Sequence, residues 1–210
     1  GTSPFSRGAD GRAVLRSCIR EFIASEAMYH LNVPTSRALS IIGSKTEKVA
    51  RQWYSDKGEE IMENAICAML CRTASSFLRV GQIELYARRV HKFPLEKEFL
   101  LSELKMIVDH TISREFPHLN NIQDTQSRYI ALLKEIGMRI AELTTNWLRV
   151  GYTQGNFNSD NCHVAGLTLD YGPFGFIEQF DPEWNMWQGG GLHFAFMNQP
   201  LAGNKNFGSL

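Results

Sequence analysis

The chain has 210 residues, of which 43% are hydrophobic and 11% aromatic, which is enough to build the core of one domain or of two small ones. Lysine plus arginine and aspartate plus glutamate number 22 each, so the overall charge favours neither nucleic acid nor an anionic membrane as a partner. The four cysteines form no CxxC pair, which indicates reduced thiols, and no apolar run reaches the roughly 18 residues of a membrane span.

The chain starts at Gly1 without an initiator methionine or a basic, apolar leader, so we expect any targeting segment to lie outside this sequence.

A helix is predicted to begin shortly after Asp10 and Gly11. Apolar residues then recur at every third or fourth position, which predicts a helix with one buried face. The residues of this face are Val14, Leu15, Cys18, Ile19, Phe22, Ile23 and Ala27.

A second stripe of the same segment is basic, with Arg12, Arg16 and Arg20 spaced four residues apart. Such a stripe is most often a solvated face of a helix. In a protein that handles phosphate it could instead lie along a nucleotide pocket. The spacing alone leaves both interpretations open.

A strand is predicted over residues 37–42, ending at Gly43. The polar residues that follow predict an exposed insertion, with a turn at Asp56, Lys57 and Gly58. Residues 61–70 are compatible with either a short helix or a strand.

The middle of the chain, residues 85–148, is predicted to be mainly helical. Its clearest feature is an apolar stripe with a period of 3.6 residues, formed by Tyr129, Leu132, Leu133, Ile136, Ile140, Leu143 and Trp147. We interpret this stripe as core. Beyond residue 172, Trp184, Trp187, Phe194 and Phe196 are expected to be buried aromatics or to line a surface for a protein substrate.

Residues 155–172 read GNFNSDNCHVAGLTLDYG and concentrate polar side chains at both ends of two short apolar runs. The apolar runs predict a β-hairpin with a two-residue turn at Ala165 and Gly166. Pairing outward from that turn sets Asn161 opposite Asp170, and directly opposed residues have Cβ atoms about 4.5–5.5 Å apart.

An amide oxygen and a carboxylate at that separation could share one hard divalent cation. Asn161 and Asp170 are therefore candidate metal ligands. Asp160 would point to the other side of the strand and remain available for proton transfer. Asn, Asp, Ser and Gly are also ordinary turn residues, so the same letters could form only loops.

Several blocks resemble the selenoprotein O family, kinase-fold proteins whose members transfer AMP from ATP to protein hydroxyl groups. In chain order the blocks are SPFSRGADGRAVLRSCIREFIASEAM, LNVPTSRALSIIG, CRTASSFLRVGQIE, NSDN, LTLDYGPFGF and FAFMNQP. Family members run to several hundred residues, so this chain resembles an internal fragment. The family loop usually has His-Gly where this sequence has Gln154 and Gly155.

The resemblance implies specific roles. Asp160 would be the catalytic base, and Asn161 and Asp170 would bind Mg²⁺ or Mn²⁺. ATP would be bound in a flipped orientation, so that AMP passes to Ser, Thr or Tyr hydroxyls of protein substrates. The rival functions are a kinase that transfers the γ-phosphate and a nucleotide-binding pseudokinase that acts as a scaffold.

The family pattern also implies nucleotide contacts from Asp10, Gly11, Arg72 and Arg79, together with Asp170. Glu21 matches the helix glutamate that pairs with a phosphate-binding lysine in the kinase fold. That lysine would precede Gly1, so we expect the fragment alone to be inactive.

The expected fold class is α/β, of the α+β kind, as part of a two-lobed, protein-kinase-like fold. Residues 1–84 would belong to the small lobe, and residues 85–210 to the large lobe with the catalytic and metal-binding loops. The resemblance implies a mitochondrial protein if the source is eukaryotic and a cytoplasmic one if it is bacterial.

Overall fold

The computed structural model describes residues 1–4, 6–55 and 57–210, without the side chains of residues 188–190. Helices and small antiparallel sheets make up the chain, so the predicted α+β class is confirmed. Contacts divide it into two compact units. Unit 1 contains Gly1–Ala27 and Arg37–Thr73, and unit 2 contains Met28–Ser36 and Ala74–Leu210. The assignment of residues 1–84 and 85–210 to two kinase lobes stays a prediction.

Unit 1 is built around a three-stranded antiparallel sheet. The short strand β1 (Ala13–Val14) leads directly into helix α1 (Leu15–His30). Strands β2 (Arg37–Tyr54) and β3 (Glu60–Thr73) form a long hairpin. The order in the sheet is β1, β3, β2, so β3 is the central strand.

The buried face of α1 differs from the prediction. Cys18 is buried as expected, but Ile19 and Ile23 are 41% and 63% exposed, while Ala24 and Met28 are buried. At 100° per residue, Ile19 and Ile23 lie on the side of the helix opposite Cys18, Ala24 and Met28. The predicted stripe was wrong because it combined residues from both sides.

The predicted exposed insertion is instead the outer half of the hairpin. Strand β2 continues past Gly43, and Lys48 to Tyr54 pair with Ile66 to Glu60 after an irregularity in the register. The polar side chains are largely exposed, but the two backbones satisfy each other's hydrogen bonds. The connecting turn includes Gly58, whose φ is +79°, whereas Asp56 lies outside the described residues.

The basic stripe of the N-terminal segment contacts acidic residues of the hairpin. Arg12 and Glu47 form an ion pair of 2.9 Å, and Arg16 and Glu63 form one of 2.7 Å. The guanidinium of Arg16 also lies 4.1 Å from the centre of the Trp53 ring. All four ionic side chains are partly exposed, and such pairs typically contribute about 0–1 kcal/mol each.

Unit 2 is mainly helical, as predicted for the middle of the chain. Its helices are α2 (Val80–Lys92), α3 (Lys97–Glu115), α4 (Thr125–Arg149) and α5 (Gln199–Phe207). Strands β4 (Tyr152–Gln154) and β5 (Phe174–Phe176) form a small antiparallel sheet. None of the helices in the described part of the chain has both the length and the apolar character that a membrane crossing requires.

Helix α4 carries the core that the sequence predicted. Asp124 caps its N-terminus by accepting a hydrogen bond of 2.8 Å from the Ser127 amide. The buried stripe contains Leu132, Ile136, Ile140, Leu143 and Trp147, whereas the predicted member Leu133 is 40% exposed. Each fully buried apolar side chain of this size contributes about 1.5–3 kcal/mol.

Aromatic rings continue this core into the segment after α4. Trp147 packs edge-on against Phe157 at 4.7 Å between ring centres, and Tyr152 stacks on Phe174 at 5.7 Å. Tyr171 meets Phe174 edge-on at 5.6 Å. These rings belong to residues that precede and follow the candidate site in the sequence, so packed aromatic side chains flank it along the chain.

The aromatic residues near the C-terminus are only partly buried. Phe194 and Phe196 are buried as expected, at 8% and 3% exposed. The prediction was wrong for Trp187, which is 43% exposed although its ring stacks on Phe194. Trp184 is half-buried.

A buried histidine helps to join the candidate site to the segment before α2. His163 is fully buried, and its Nδ1 accepts a 3.0 Å hydrogen bond from the Ala165 amide. The other ring nitrogen, Nε2, therefore carries the proton and donates to the Ser76 carbonyl at 3.0 Å. Burial lowers the pKa of His163, since the charged imidazolium would lose its hydration.

The first prediction concerns the pH dependence of stability. Because the folded state lowers the pKa of His163, the unfolded chain binds more protons. The free energy of unfolding should therefore fall as the pH drops below about 6.5, by at most about 1.4 kcal/mol per pH unit from this group. Denaturant unfolding of the full-length protein at pH 7.5, 6.5 and 5.5 measures this slope.

His163→Gln should flatten the slope between pH 6.5 and 5.5. The control is His91→Gln, which removes an exposed histidine of the same unit. Equal slopes in the wild type and in His163→Gln would show that His163 is not the group responsible.

Candidate active site

The segment that carries Asp160 and Asn161 pairs with the residues just before α2. The Val80 amide donates to the Cys162 carbonyl at 2.9 Å, and the Val164 amide donates to the Leu78 carbonyl at 3.1 Å. Between them, Arg79 and His163 are directly opposed in an antiparallel bridge. The start of α2 is therefore fixed to the candidate catalytic segment by backbone hydrogen bonds.

The predicted hairpin is wrong in its register. Cys162 bridges Thr168 instead of Leu169, and the two segments form no regular strands. The backbone groups find other partners, since the Thr168 amide donates to the Pro34 carbonyl at 2.8 Å. The chain turns at Val164 and Ala165 instead of at Ala165 and Gly166, and the Gly166 amide donates to the His163 carbonyl at 3.0 Å. Gly166 itself lies against α4, where a Cβ would be 2.5 Å from the Arg139 carbonyl oxygen.

A short 3-10 turn, Ser159–Asn161, presents the first two candidate residues. The Asn158 side chain caps it by accepting hydrogen bonds from the amides of Asp160 and Asn161, at 3.0 and 3.2 Å. The Ser159 hydroxyl donates to the buried carboxylate of Glu84 at 2.6 Å. The turn is thus held from its own N-terminus and from helix α2.

Asp160 is exposed and lies against the first turn of α2. Its backbone carbonyl accepts a 3.1 Å hydrogen bond from Nη1 of Arg79. A Cβ added at Gly81 would lie 2.6 Å from Asp160 Oδ1, so the carboxylate occupies the space that a side chain would need. The carboxylate therefore sits at the positive end of the helix dipole.

The Arg79 guanidinium has one donor that is not hydrogen-bonded within the described residues. Its Nε is buried and has no hydrogen-bond partner within the described ranges of the chain. A buried guanidinium N–H without an acceptor is costly, and an anionic ligand would relieve that cost. The role of Arg79 as a phosphate contact stays a prediction.

Asp170 is half-buried and is held through both its backbone and its side chain. Its carboxylate Oδ2 accepts a 3.1 Å hydrogen bond from the Gly172 amide. Its backbone carbonyl accepts a 2.7 Å hydrogen bond from Nε2 of Gln154. Two residues before Asp170, the Thr168 hydroxyl accepts a 2.9 Å hydrogen bond from the Trp147 indole.

The bridge between Cys162 and Thr168 brings the two candidate segments together. Asp160 precedes the bridge by two residues, and Asp170 follows it by two. In an antiparallel pair these positions lie at the same end. The structure therefore places Asp160, Asn161 and Asp170 in neighbouring loops of unit 2, together with Arg79.

The donor set fits magnesium better than zinc. Among the described residues there is no group of three or more His, Cys, Asp and Glu side chains that could hold a metal ion. Mg²⁺ typically takes only one or two carboxylates and completes its shell with water and phosphate oxygens. Asn161 donates through Nδ2 to the Asn156 carbonyl at 2.9 Å, which leaves its Oδ1 as the candidate ligand atom.

The predicted nucleotide residues Asp10 and Gly11 belong to unit 1. Asp10 receives two hydrogen bonds from the Arg51 guanidinium, at 2.6 and 2.9 Å, and this interaction lowers the pKa of Asp10 to about 2. Gly11 has a φ of +62°, and a Cβ there would lie 2.1 Å from the Gly1 carbonyl oxygen. A role for either residue in nucleotide binding stays a prediction.

Glu21 and Arg72 contact each other within unit 1. Their charged atoms lie 3.7 Å apart, and the Arg72 side chain is only 12% exposed. Glu21 thus faces a cation from this chain. The roles of Glu21 as an ion-pair residue and of Arg72 as an ATP ligand stay predictions.

Three residues that contribute to the site were not singled out from the sequence. Glu84 is an acidic residue on the buried side of α2, and that position was a usable signal of an internal partner. Gly81, in the first turn of α2, marks a close approach. Gln199 gave no local signal, because its partners Gln154 and Tyr152 lie more than 40 positions away along the chain.

A family model described as "Protein adenylyltransferase SelO" matches residues 1–210, which is the entire chain. The chain belongs to the SelO family. The resemblance noted in the sequence is therefore confirmed along the whole chain.

Curated relatives agree with this assignment. "Protein nucleotidyltransferase YdiU" from Azoarcus sp. (strain BH72) is 43% identical over 209 residues, which cover 98% of this chain and 37% of the relative. The protein of the same name from Xanthomonas euvesicatoria pv. vesicatoria (strain 85-10) is 42% identical over 212 residues, covering 100% of this chain and 38% of the relative. The chain thus spans little more than a third of the length of these SelO-family relatives.

The second prediction tests the contact between Asp160 and α2. Gly81→Ala places a methyl group where the Asp160 carboxylate and the Ser159 backbone lie, so the Ser159–Asn161 turn must move. Amide hydrogen exchange of that turn should be faster in the full-length variant, although Ala is the better helix former by about 1 kcal/mol.

The matched control is Gly137→Ala, also inside a helix, where a Cβ would lie 3.3 Å from the Phe207 ring. This variant should leave exchange of the Ser159–Asn161 turn unchanged. Unchanged exchange in Gly81→Ala would mean that Asp160 does not depend on the space beside Gly81.

Proposed function

We propose that the full-length protein transfers AMP from ATP to Ser, Thr or Tyr hydroxyl groups of proteins, in a reaction that depends on Mg²⁺ or Mn²⁺. Support comes from the SelO family match and from relatives named protein nucleotidyltransferases. The single observation that carries the proposal is the meeting of the Asp160 and Asp170 segments at the Cys162–Thr168 bridge. A two-lobed, kinase-like fold for the complete protein is part of the same proposal.

In this proposal Asp160 accepts the proton of the attacking hydroxyl. Its carboxylate is exposed, while its backbone is fixed by Asn158 and Arg79, so an incoming side chain can reach a group that is already oriented. Asn161 and Asp170 would hold the metal ion. When bound, the ion would neutralise negative charge on the phosphates.

Arg79 would bind a phosphate through its guanidinium group, whose Nε lacks a partner among the described residues. A charge-assisted hydrogen bond of this kind is typically worth about 1.5–3 kcal/mol. The predicted nucleotide contacts of Arg72, Asp10 and Gly11 are part of the same proposal.

Two rival functions use the same residues differently. A kinase would transfer the γ-phosphate, and a pseudokinase scaffold would bind the nucleotide without transfer. The retained Asp160, Asn161 and Asp170 count against the scaffold. The bacterial source of the relatives favours a cytoplasmic over a mitochondrial location.

The third prediction separates these functions. Full-length protein incubated with α-labelled ATP should leave label on protein, whereas γ-labelled ATP should not, because adenylyl transfer retains only the α-phosphate. The reverse result would establish a kinase. Protein that binds ATP and retains neither label would be a scaffold.

In the same assay, Asp160→Asn should reduce transfer about 10²–10⁴-fold and keep ATP affinity within a few-fold, since it removes only the proton acceptor. Asp181→Asn is the control, because Asp181 is exposed in the same unit and accepts a local hydrogen bond from the Glu183 amide. Full activity of Asp160→Asn would reassign Asp160 to a structural role.

A further inference from the structure

Two buried glutamines connect α5 to the Asp170 loop. Gln154 is 1% exposed and Gln199 is fully buried. The Gln199 side-chain oxygen accepts a 2.8 Å hydrogen bond from the Gln154 amide, and Gln199 Nε2 donates to the carbonyls of Tyr152 and Phe196, at 2.9 and 3.1 Å. Gln199 thus satisfies backbone groups on β4 that would otherwise be buried without partners.

The Gln154 side chain extends this network to Asp170. Its Oε1 accepts a 3.3 Å hydrogen bond from the Tyr152 hydroxyl, which turns the Nε2 group towards Asp170. Nε2 then donates to the Asp170 carbonyl at 2.7 Å. Both ends of the Gln154 amide are therefore engaged, and its orientation is fixed.

We propose that Gln154, held by Gln199, is a positioning residue that fixes the carboxylate of Asp170 for metal binding. This inference rests on the proposed function of Asp170. The hydrogen bond from Gln154 fixes the backbone carbonyl of Asp170, while the Gly172 amide holds Oδ2 of its side chain at 3.1 Å. Together they restrict the backbone and the side chain of the same residue.

The alternative is that Gln154 merely fills the core. Asn206 offers a matched comparison, because it is also buried, at 7% exposed, and its amide donates to a backbone carbonyl, that of Phe157, at 2.9 Å. Gln154→Met removes the hydrogen bonds of the Gln154 amide with the Asp170 carbonyl and the Tyr152 hydroxyl. Asn206→Leu likewise removes the hydrogen bonds of a buried amide, with the Phe157 carbonyl and the Cys162 thiol. Only Gln154→Met acts on the Asp170 carbonyl.

The fourth prediction uses the Gly172 amide as a reporter, because it donates to the Asp170 carboxylate. In the full-length protein without nucleotide, Gln154→Met should speed hydrogen exchange of this amide about tenfold or more. Asn206→Leu should leave it unchanged. Gln154→His replaces the amide donor with a ring N–H and introduces the residue that the family resemblance implies at this position. In this variant, exchange of the Gly172 amide should stay slow.

A second measurement follows the requirement for metal. In the α-label transfer assay, Gln154→Met should need about 10–100-fold more Mg²⁺ to reach half-maximal rate, as for other residues that orient a metal ligand. Asn206→Leu should keep the Mg²⁺ dependence of the wild type. If Gln154→Met does not fold, Gln154→Asn, which shortens the side chain by one methylene, takes its place in both measurements.

The outcomes separate this inference from the proposed function. Faster Gly172 exchange in the Gln154 variant alone supports the positioning role, even if the wild type transfers neither label, in which case only the proposed function fails. Equal changes in Gln154→Met and Asn206→Leu, or no change in either, would overturn the inference.

Discussion

The candidate site depends on one backbone pairing, in which residues 162–164 lie against residues 78–80. Two hydrogen bonds, from the Val80 amide to the Cys162 carbonyl and from the Val164 amide to the Leu78 carbonyl, join these segments inside the core. Burial is so complete at Cys162 that it raises the pKa of its thiol to about 12. Because water cannot replace these bonds, the 3-10 turn that carries Asp160 has one position relative to α2.

Much of the helical part follows from local pattern. The stripe on α4 was predictable because five of its seven apolar residues face one packed core, and a long amphipathic period leaves little ambiguity. The face of α1 was not predictable, since Ile19 and Ile23 are as apolar as the residues that are buried. The outer half of the long hairpin was missed because its side chains are largely exposed on both faces, so the alternation of buried and exposed residues that marks a strand is missing there.

The candidate site was also predictable only in part. Asp160, Asn161 and Asp170 stood out from the sequence by residue type and spacing, and the structure places them in neighbouring loops. The hairpin that was to join them failed because Thr168 and Val164 pair with Pro34 and Leu78, and no local pattern reveals partners so distant along the chain.

The central claim is that Asn161 and Asp170 together hold one metal ion on the nucleotide phosphates. A crystal structure of the full-length protein with Mn²⁺ and a non-hydrolysable ATP analogue tests it directly, because manganese is located by its anomalous scattering. We expect a manganese peak in direct contact with an Asp170 carboxylate oxygen, Asn161 Oδ1 and phosphate oxygens. A peak bound elsewhere, or a nucleotide bound without contact to Asp170, would contradict it.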